Sequence, residues 1–317
     1  MLIALTFAAA TVVALMVTPI VRGVAHRYGL LDQPGERKVH EIPIPRLGGV
    51  AMAVAFGVAI GIATLASPDL GASGLLRPNR APAILAGVSA LLVIGIIDDV
   101  RGMRALVKLV LQVAVAVLAW SLGLSIETLH LPSGSVELGA LSLPVTVLWI
   151  VGVINAVNLI DGLDGLAAGV VLTVLGAFGL LAASDRMDPT LPIIAATAGA
   201  AAGFLAYNLH PASIIMGDTG SMFLGFVAAS IAIALTQDGS NPVSPLLPII
   251  ALGLPFIDMV WAVVRRTARG EPWFVADSGH IHHQLLRRGL SQRDAMLILT
   301  AISGSLALIV VLLHRIG

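Results

Sequence analysis

Ten continuous apolar runs, most of them about 17–22 residues long, constrain the fold of this chain more than any other feature of its sequence. A helix that spans a bilayer needs about 20 apolar residues, whereas a membrane β-barrel needs short segments of alternating polarity. The runs therefore predict an all-α integral membrane protein with about ten transmembrane helices. The predicted spans cover residues 2–21, 48–66, 82–97, 106–123, 143–157, 166–183, 190–206, 221–235, 244–264 and 295–313.

The composition agrees with a lipid environment for most of the chain. Of the 317 residues, 57% are hydrophobic and only 11% are charged, against about 25% charged in an ordinary soluble domain. Cysteine is absent, which excludes disulfides and Cys-ligated metal sites. The net charge of zero gives no general attraction to nucleic acid. We expect a single polytopic membrane domain over residues 1–317, whose first run lacks the basic start of a signal peptide and is retained.

The basic residues predict how the helices are oriented in the membrane. All but four of the 18 Lys and Arg residues fall in loops that ten spans would place on one side. The positive-inside rule makes that side cytoplasmic, so both termini are expected to be extracytoplasmic. On the opposite side, residues 124–142 alternate in polarity, which predicts a small extracytoplasmic β-hairpin. The loops assigned to the cytoplasm are residues 22–47, 98–108, 155–165, 207–220 and 265–294.

Two adjacent acids, Asp98 and Asp99, end the third predicted span. A carboxylate deep in a membrane costs about 2.5–3.5 kcal/mol, and the cost falls toward the interface. The pair could therefore simply mark the end of the span. It could also act chemically, because adjacent like charges leave one carboxylate as a base, and a pair can share a divalent cation.

Four polar residues, Asn155, Asn158, Asp161 and Asp164, recur at every third position from the end of the fifth run. On an α-helix this step fans the side chains around one side. Polar groups on a regular step are costly inside an apolar stretch, so a binding site is favoured over a simple polar break between two spans.

The eighth span opens with Gly217 and Asp218, a short distance after Asn208. Exposed N–H groups at a helix start suit a phosphate, and Asp218 could ligate Mg²⁺ there. The alternative is an ordinary capped helix start.

Histidines and basic residues occupy the first and last cytoplasmic loops. Lys38, His40 and Arg46 could grip a phosphate or could serve only as topology signals near anionic headgroups. A zinc site in the last loop is disfavoured because no fourth ligand is evident nearby. Bases that bind anions, together with acids that bind metal, fit the transfer of a phosphate-linked group to a membrane lipid. The histidines of the last loop are His280, His282 and His283.

Five segments, taken in order, resemble the polyprenyl-phosphate N-acetylhexosamine-1-phosphate transferase superfamily, which includes WecA-type enzymes and the MraY phospho-MurNAc-pentapeptide translocase. Each segment alone is a modest signal, whereas five in the same order are highly specific. The segments are RKVHEIPIPRLGG (37–49), IDDV (97–100), NAVNLIDGLDGLAAG (155–169), YNLHPASIIMGDTGS (207–221) and DSGHIHHQLLRRG (277–289).

This resemblance implies transfer of a HexNAc-1-phosphate from a UDP-sugar to undecaprenyl phosphate, with release of UMP, as the start of a lipid-linked cell-envelope glycan. It implies Mg²⁺ as the cofactor, with Mn²⁺ as a substitute. It also implies a ten-span, multi-pass protein of the plasma membrane with a cytoplasmic active site. The partners are the UDP-sugar donor, the polyprenyl phosphate acceptor and membrane lipid, without nucleic acid, and a homodimer is compatible with these expectations.

The resemblance also assigns roles to individual residues. Asp98 and Asp99 match the catalytic acidic pair, with Asp98 as the base and Asp99 as a partner of the metal. Asp218 matches the metal-ligating acid. The His-Ile-His-His form is similar to the WecA type and favours GlcNAc-1-phosphate. The residues assigned to substrate binding are Lys38, His40, Arg46, Asn155, Asn158, Asp161, Asp164, Asn208, His280, His282 and His283.

Three alternatives stay open at this point. The same chemistry could use another UDP-sugar, such as UDP-MurNAc-pentapeptide or a different UDP-HexNAc. A prenyltransferase of the UbiA sort would need two Asp-rich motifs, but Val100 and Arg101 follow the acid pair and no DDxxD motif forms. A membrane transporter would place charges within its spans, and only Asp258 lies clearly inside one.

Overall fold

The computed structural model describes residues 1–35, 42–66, 80–131, 133–183, 190–237, 243–272 and 279–316, and these residues are mostly helical. The predicted Lys38 and His40 lie outside the described residues. The helices are α1 (Leu2–Arg27), α2 (Gly48–Ala66), α3 (Ala81–Arg101), α4 (Ala105–Ser121), α5 (Ser142–Ile160), α6 (Leu166–Ala182), α7 (Leu191–Asn208), α8 (Gly217–Gln237), α9 (Leu246–Ala251), α10 (Gly253–Ala268), α11 (Ile281–Arg287) and α12 (Gln292–Ile316).

Nine of the ten predicted apolar runs each coincide with one helix, which confirms an all-α membrane protein. Seven helices in the described ranges are long and apolar enough to cross a membrane, and α4 and α6 are shorter apolar helices. Lipid cannot bond with backbone N–H and C=O groups, so apolar runs must satisfy them within helices. The seven are α1, α2, α3, α5, α7, α8 and α12.

The ninth predicted span, residues 244–264, is wrong as a single helix. The structure divides it at Leu252 into α9 and α10. Pro255 has no N–H to donate to the carbonyl of Ala251, the last residue of α9, and Gly253 adds backbone freedom beside it. A hydropathy profile records only how apolar this run is and therefore misses the break.

Two small antiparallel pairs complete the fold. Strands β3 (Thr128–Leu131) and β4 (Gly134–Glu137) confirm the predicted hairpin. Gln237, the last residue of α8, holds this hairpin, because its Oε1 accepts from the Glu127 and Thr128 N–H groups at 2.8 and 3.1 Å. The other pair, β1 (Leu31–Asp32) and β2 (Ile44–Pro45), was not predicted, since two-residue strands carry no periodic signal.

Helix α8 forms the centre of the bundle. The apolar window of α8 is entirely buried, whereas only 22% of the α1 window is buried. Helices α2, α3, α5, α6 and α7 all pack against α8. The N-terminus of α8 therefore has a position fixed from several sides, and the functional side chains collect around that end.

Helices α1 and α7 approach each other closely along a face of small residues. A Cβ atom on Gly203 would lie 2.5 Å from the carbonyl oxygen of Thr11 and 2.7 Å from Cβ of Ala14. Small residues at membrane helix contacts allow this approach, and the helices gain van der Waals packing from it.

We predict that Gly203→Ala will destabilise the protein by about 1–3 kcal/mol, because the added methyl group must push α1 and α7 apart. The measurement is the midpoint of thermal unfolding in detergent. Gly61→Ala is the matched control, since nothing lies within 4 Å of a Cβ at that position. Equal midpoints for the two variants would show that the α1–α7 contact is not tightly packed.

Candidate active site

The carboxylate of Asp99 holds the N-terminus of α8. Asp99 is buried in the last turn of α3. Its Oδ1 accepts from the Asp218 N–H at 2.9 Å, and its Oδ2 accepts from the Thr219 N–H at 3.1 Å and from the Thr219 hydroxyl at 2.6 Å. The first N–H groups of a helix have no partners within the helix, and an acid beside them is favoured by the helix dipole. Gly95 permits this approach, because a Cβ there would lie 2.5 Å from Thr219 Cα.

Lys108 joins two of the predicted acids. Its ammonium group donates to Asp218 Oδ1 at 2.8 Å and forms an ion pair with Asp98 Oδ2. The other oxygen of Asp98 accepts from the Met103 N–H at 2.7 Å. Sequence reasoning used Lys108 only to orient the helices. The signal that could have found it is its position early in α4, directly after the short turn that follows Asp98 and Asp99.

Asn158 and Asp218, two predicted residues far apart in the chain, are in contact. The Asn158 side-chain amide donates to Asp218 Oδ1 and to the Ser221 hydroxyl, the latter at 2.8 Å. Asn158 lies in the last turn of α5 and Asp218 in the first turn of α8. One of the polar residues that recur at every third position, Asn158, is therefore in contact with the start of the eighth span.

Asp161 follows the end of α5 and faces the other acids. Burial raises its pKa to about 8, and the charges of Asp218, Asp99 and Asp164 add to the increase. The acids in this region therefore repel one another, and a bound cation would relieve that repulsion.

Asp164 and Asn208 tie together the loops that follow α5 and α7. Asp164 Oδ2 lies 2.9 Å from His210 Nδ1 and accepts from the Ala212 N–H at 3.1 Å. Asn208 Oδ1 accepts from the Gly165 N–H at 3.1 Å, and its amide donates to the Ile214 carbonyl at 3.0 Å. Both side chains have polar partners, so they give the loops a defined shape.

Arg46 is bound to the end of α3. Its guanidinium forms an ion pair with Asp32 and donates to the Asp99 carbonyl oxygen at 3.3 Å. Asp32 is buried and was not predicted as a site residue. Arg46 and Asp32 lie on β2 and β1 or directly beside them, so the unpredicted strand pair brings them together.

The three histidines of the last loop have three different environments. His280 Nδ1 lies 2.8 Å from Asp258 Oδ2. His282 is buried, its ring fills the space beside Gly162, and its pKa is lowered to about 3 by burial and by the neighbouring His283 and His280. It is therefore neutral at pH 7. His283 faces a cleft.

That cleft has a volume of about 350 Å³ and collects most of the predicted residues. Five carboxylates line it together with two cationic side chains, so its charge is negative. The lining residues are Asp32, Arg46, Asp99, Lys108, Asn158, Asp161, Gly162, Leu163, Asp164, Asn208, Ile215, Gly217, Asp218, His283 and Gln292.

Four predicted residues of the described ranges lie outside this lining. Asp98 reaches it through Lys108, and His280 and His282 are buried beside it. Asn155 donates to Gln112 Oε1 at 2.7 Å and to the Val151 carbonyl at 2.8 Å, within the helix pair α4 and α5. Its substrate-binding role stays a prediction.

The donor set of the cleft fits a hard divalent cation. Mg²⁺ takes one or two protein carboxylates and completes its octahedron with water and phosphate oxygens. Within the described ranges, no group of three His, Asp or Glu side chains is arranged as a ready metal site.

We predict that Lys108→Met will lower stability by about 1–3 kcal/mol, because Asp98 and Asp218 lose the cation between them. The value is below the roughly 3–5 kcal/mol of a fully buried pair, since Asp218 is partly exposed. Thermal unfolding in detergent measures it. Arg104→Met is the control for loss of a basic side chain, because Arg104 is exposed. A midpoint equal to that control would contradict the bridging role.

Comparisons with known proteins indicate the family of the chain. Residues 81–236 match the model of "Glycosyl transferase family 4". The chain is 38% identical to a probable undecaprenyl-phosphate N-acetylglucosaminyl 1-phosphate transferase of Bacillus subtilis over 299 residues, which cover 94% of this chain and 81% of the relative.

Two further relatives lead to the same family. A decaprenyl-phosphate N-acetylglucosaminephosphotransferase of Mycobacterium tuberculosis is 35% identical, with 94% of this chain and 79% of the relative covered. The undecaprenyl-phosphate alpha-N-acetylglucosaminyl 1-phosphate transferase of Escherichia coli is 30% identical, with 92% and 78% covered. The chain therefore belongs to the family of polyprenyl-phosphate N-acetylglucosaminyl 1-phosphate transferases.

Proposed function

We propose that the protein transfers GlcNAc-1-phosphate from UDP-GlcNAc to a polyprenyl phosphate, such as undecaprenyl phosphate, and releases UMP. The observation that carries the proposal is the acidic cleft at the end of the central helix, where Asp218, Asp99 and Lys108 converge. Both substrates are phosphates, and the cleft combines acids that suit a divalent cation with side chains that suit phosphate oxygens.

The reaction replaces one phosphorus–oxygen bond with another. An oxygen of the acceptor phosphate attacks the phosphorus attached to the sugar, and the bond to the UMP oxygen breaks. Asp98 positions the acceptor phosphate or removes its proton, as general-base chemistry requires. Lys108 forms an ion pair with Asp98. Its ammonium group would therefore also stabilise negative charge on an acceptor phosphate that Asp98 positions.

Mg²⁺, with Mn²⁺ as a substitute, is the cofactor that we propose. When bound, it supplies charge neutralisation of the donor diphosphate and of the departing phosphate. Asp218 and Asp99 are the residues proposed to hold it, and Asp161 faces both of them. Asp99 already accepts hydrogen bonds on both oxygens, so its contribution would come from the remaining lone pairs.

An apolar cavity of about 510 Å³ supports a lipid acceptor. It lies between α5, α8 and the broken pair α9 and α10, and Trp149, Phe256 and Leu148 are among its lining side chains. Trp149 and Asn158 both belong to α5, nine residues apart, which corresponds to about 14 Å along the helix axis. A long prenyl chain whose phosphate lies in the acidic cleft can therefore reach this cavity.

The membrane arrangement is part of the proposal. We infer ten spans, with the α9–α10 pair as the ninth, both termini extracytoplasmic, and the cleft on the cytoplasmic face of the plasma membrane. The distribution of basic residues supports this orientation. The hairpin of β3 and β4 lies at the opposite end of α8 from the cleft, which agrees with an extracytoplasmic hairpin.

We predict that detergent-purified protein with Mg²⁺ and undecaprenyl phosphate will release UMP from UDP-GlcNAc in preference to UDP-GalNAc and UDP-MurNAc-pentapeptide. The measurement is UMP formation across this donor panel, with and without the lipid. Release that requires lipid but favours another donor would support the proposed reaction and show that the sugar is a different one. No lipid-dependent release from folded protein with any donor would overturn the proposal.

We predict that EDTA will abolish UMP release and that added Mg²⁺ or Mn²⁺ will restore it. Asp218→Asn should lower kcat by about 100-fold or more, because it removes a charge that acts on the transferring phosphate. Asp294→Asn is the matched control, since Asp294 is exposed and, within the described residues, its hydrogen bonds outside the helix ladder are with Ser291 at the start of α12. Undiminished turnover in EDTA, or in the folded Asp218→Asn protein, would contradict the metal assignment.

A further inference from the structure

One buried acid, Asp258, has no part in the proposed chemistry. It lies on α10, a helix whose neighbouring side chains Ile257 and Trp261 are 63% and 55% exposed, whereas Asp258 is 3% exposed. A carboxylate on a membrane helix is costly unless it is fully bonded. A membrane transporter would also place a charged residue such as Asp258 inside a span. The residues that Asp258 contacts therefore indicate its role.

Both oxygens of Asp258 contact the start of the histidine segment, which we define as residues 280–283. Oδ2 lies 2.8 Å from His280 Nδ1, and Oδ1 accepts from the Ile281 N–H at 2.8 Å. A carboxylate oxygen only accepts, so the proton in the first contact lies on His280 Nδ1. Asp258 thus fixes both the side chain of His280 and the backbone that follows it.

The contacts continue from His280 to the cleft. The His280 and His282 rings are stacked, with centroids 5.8 Å apart and planes at 4°. The centroids of His282 and His283 are 4.3 Å apart. The His282 ring occupies the space beside Gly162, a cleft residue, and leaves no room for a methyl group there. His283 lines the cleft itself.

We propose that Asp258 is a positioning residue for the donor site, and that it acts through His280 to hold His283 at the wall of the acidic cleft. The inference rests on the proposed function, because it takes UDP-GlcNAc as the occupant of that wall. His280 then positions the segment, and of the three histidines only His283 reaches the substrate directly.

The geometry favours positioning over a general stabilising role. Two hydrogen bonds to one buried carboxylate fix the direction of the segment as well as its attachment, and displacement of a contact by about 1 Å can cost up to 100-fold in activity. An apolar pair of similar volume would stabilise a fold at least as well as a buried charged contact. We therefore expect that loss of the Asp258 contacts weakens binding of the donor specifically.

The experiment compares steady-state kinetics of Asp258→Asn and His280→Ala with the wild-type protein. The carboxamide that Asp258→Asn introduces can still accept from the Ile281 N–H, but its NH₂ group cannot accept from His280 Nδ1–H. We expect KM for UDP-GlcNAc to rise about tenfold in each variant. KM for undecaprenyl phosphate and kcat should stay within about threefold. The double variant should be no worse than either single variant, because both changes break the same contact.

Asp294→Asn is the matched control, an equal chemical change at an exposed acid whose Oδ2 accepts from the Ser291 hydroxyl, and should leave both KM values unchanged. Equal losses in both KM values and kcat, or a wild-type KM for the donor, would overturn the positioning role. If Asp258→Asn does not give folded protein, His280→Ala carries the test. If neither folds, Asp258 is a structural residue and the proposal fails.

Calorimetric titration of UDP-GlcNAc separates this inference from the proposed function. The positioning role predicts about tenfold weaker donor binding in Asp258→Asn even if the lipid acceptor has been chosen wrongly. If Asp258→Asn binds UDP-GlcNAc more weakly but the wild-type protein shows no lipid-dependent UMP release, the positioning role is supported and the proposed reaction is contradicted. If Asp258→Asn binds UDP-GlcNAc as tightly as the wild-type protein and the wild type turns over normally, the proposed reaction is supported and the positioning role is contradicted.

Discussion

The N-terminus of α8 is the point on which the rest of the site depends. A helix that begins within a membrane protein presents N–H groups that lipid cannot satisfy. Asp99 satisfies those of Asp218 and Thr219 with one carboxylate, and the Thr219 hydroxyl adds a third hydrogen bond. The same contact fixes the end of α3 against the start of α8. Lys108 and Asn158 take their positions relative to this junction, because both donate hydrogen bonds to Asp218.

The charge of the junction suits the proposed chemistry. Asp99, Asp161 and Asp218 lie close enough that their repulsion contributes to the raised pKa of Asp161. Lys108 offsets part of this charge by contacting Asp218 and Asp98 together. One ammonium group against several carboxylates leaves an excess of negative charge. A divalent cation, followed by phosphate groups that the cation and Lys108 can both stabilise, would balance it.

The sequence was enough to predict the helices and most of the site's acids, because both follow from the free-energy cost of placing polar groups in lipid. Apolar runs must form helices in lipid, so that the backbone N–H and C=O groups are hydrogen-bonded. A carboxylate at the end of such a run is costly and therefore indicates a functional site. Sequence reasoning could not identify pairs between distant segments. Lys108 with Asp218, Arg46 with Asp32 and Asn155 with Gln112 depend on how helices pack, and no pattern within one segment records that packing. The break at Leu252 was missed for a different reason, since it arises from backbone chemistry in a uniformly apolar run.

That break also connects to the histidine segment. Because the chain divides at Leu252, α9 packs against α6 and α12, while α10 is a separate helix that contacts α5 and α12. Asp258 lies on α10, and its carboxylate meets His280 and the Ile281 N–H. The position of α10 therefore determines where the histidine segment can attach. The sequence shows three histidines within four residues, but only the course of α10 separates the one that anchors the segment from the one that faces the cleft.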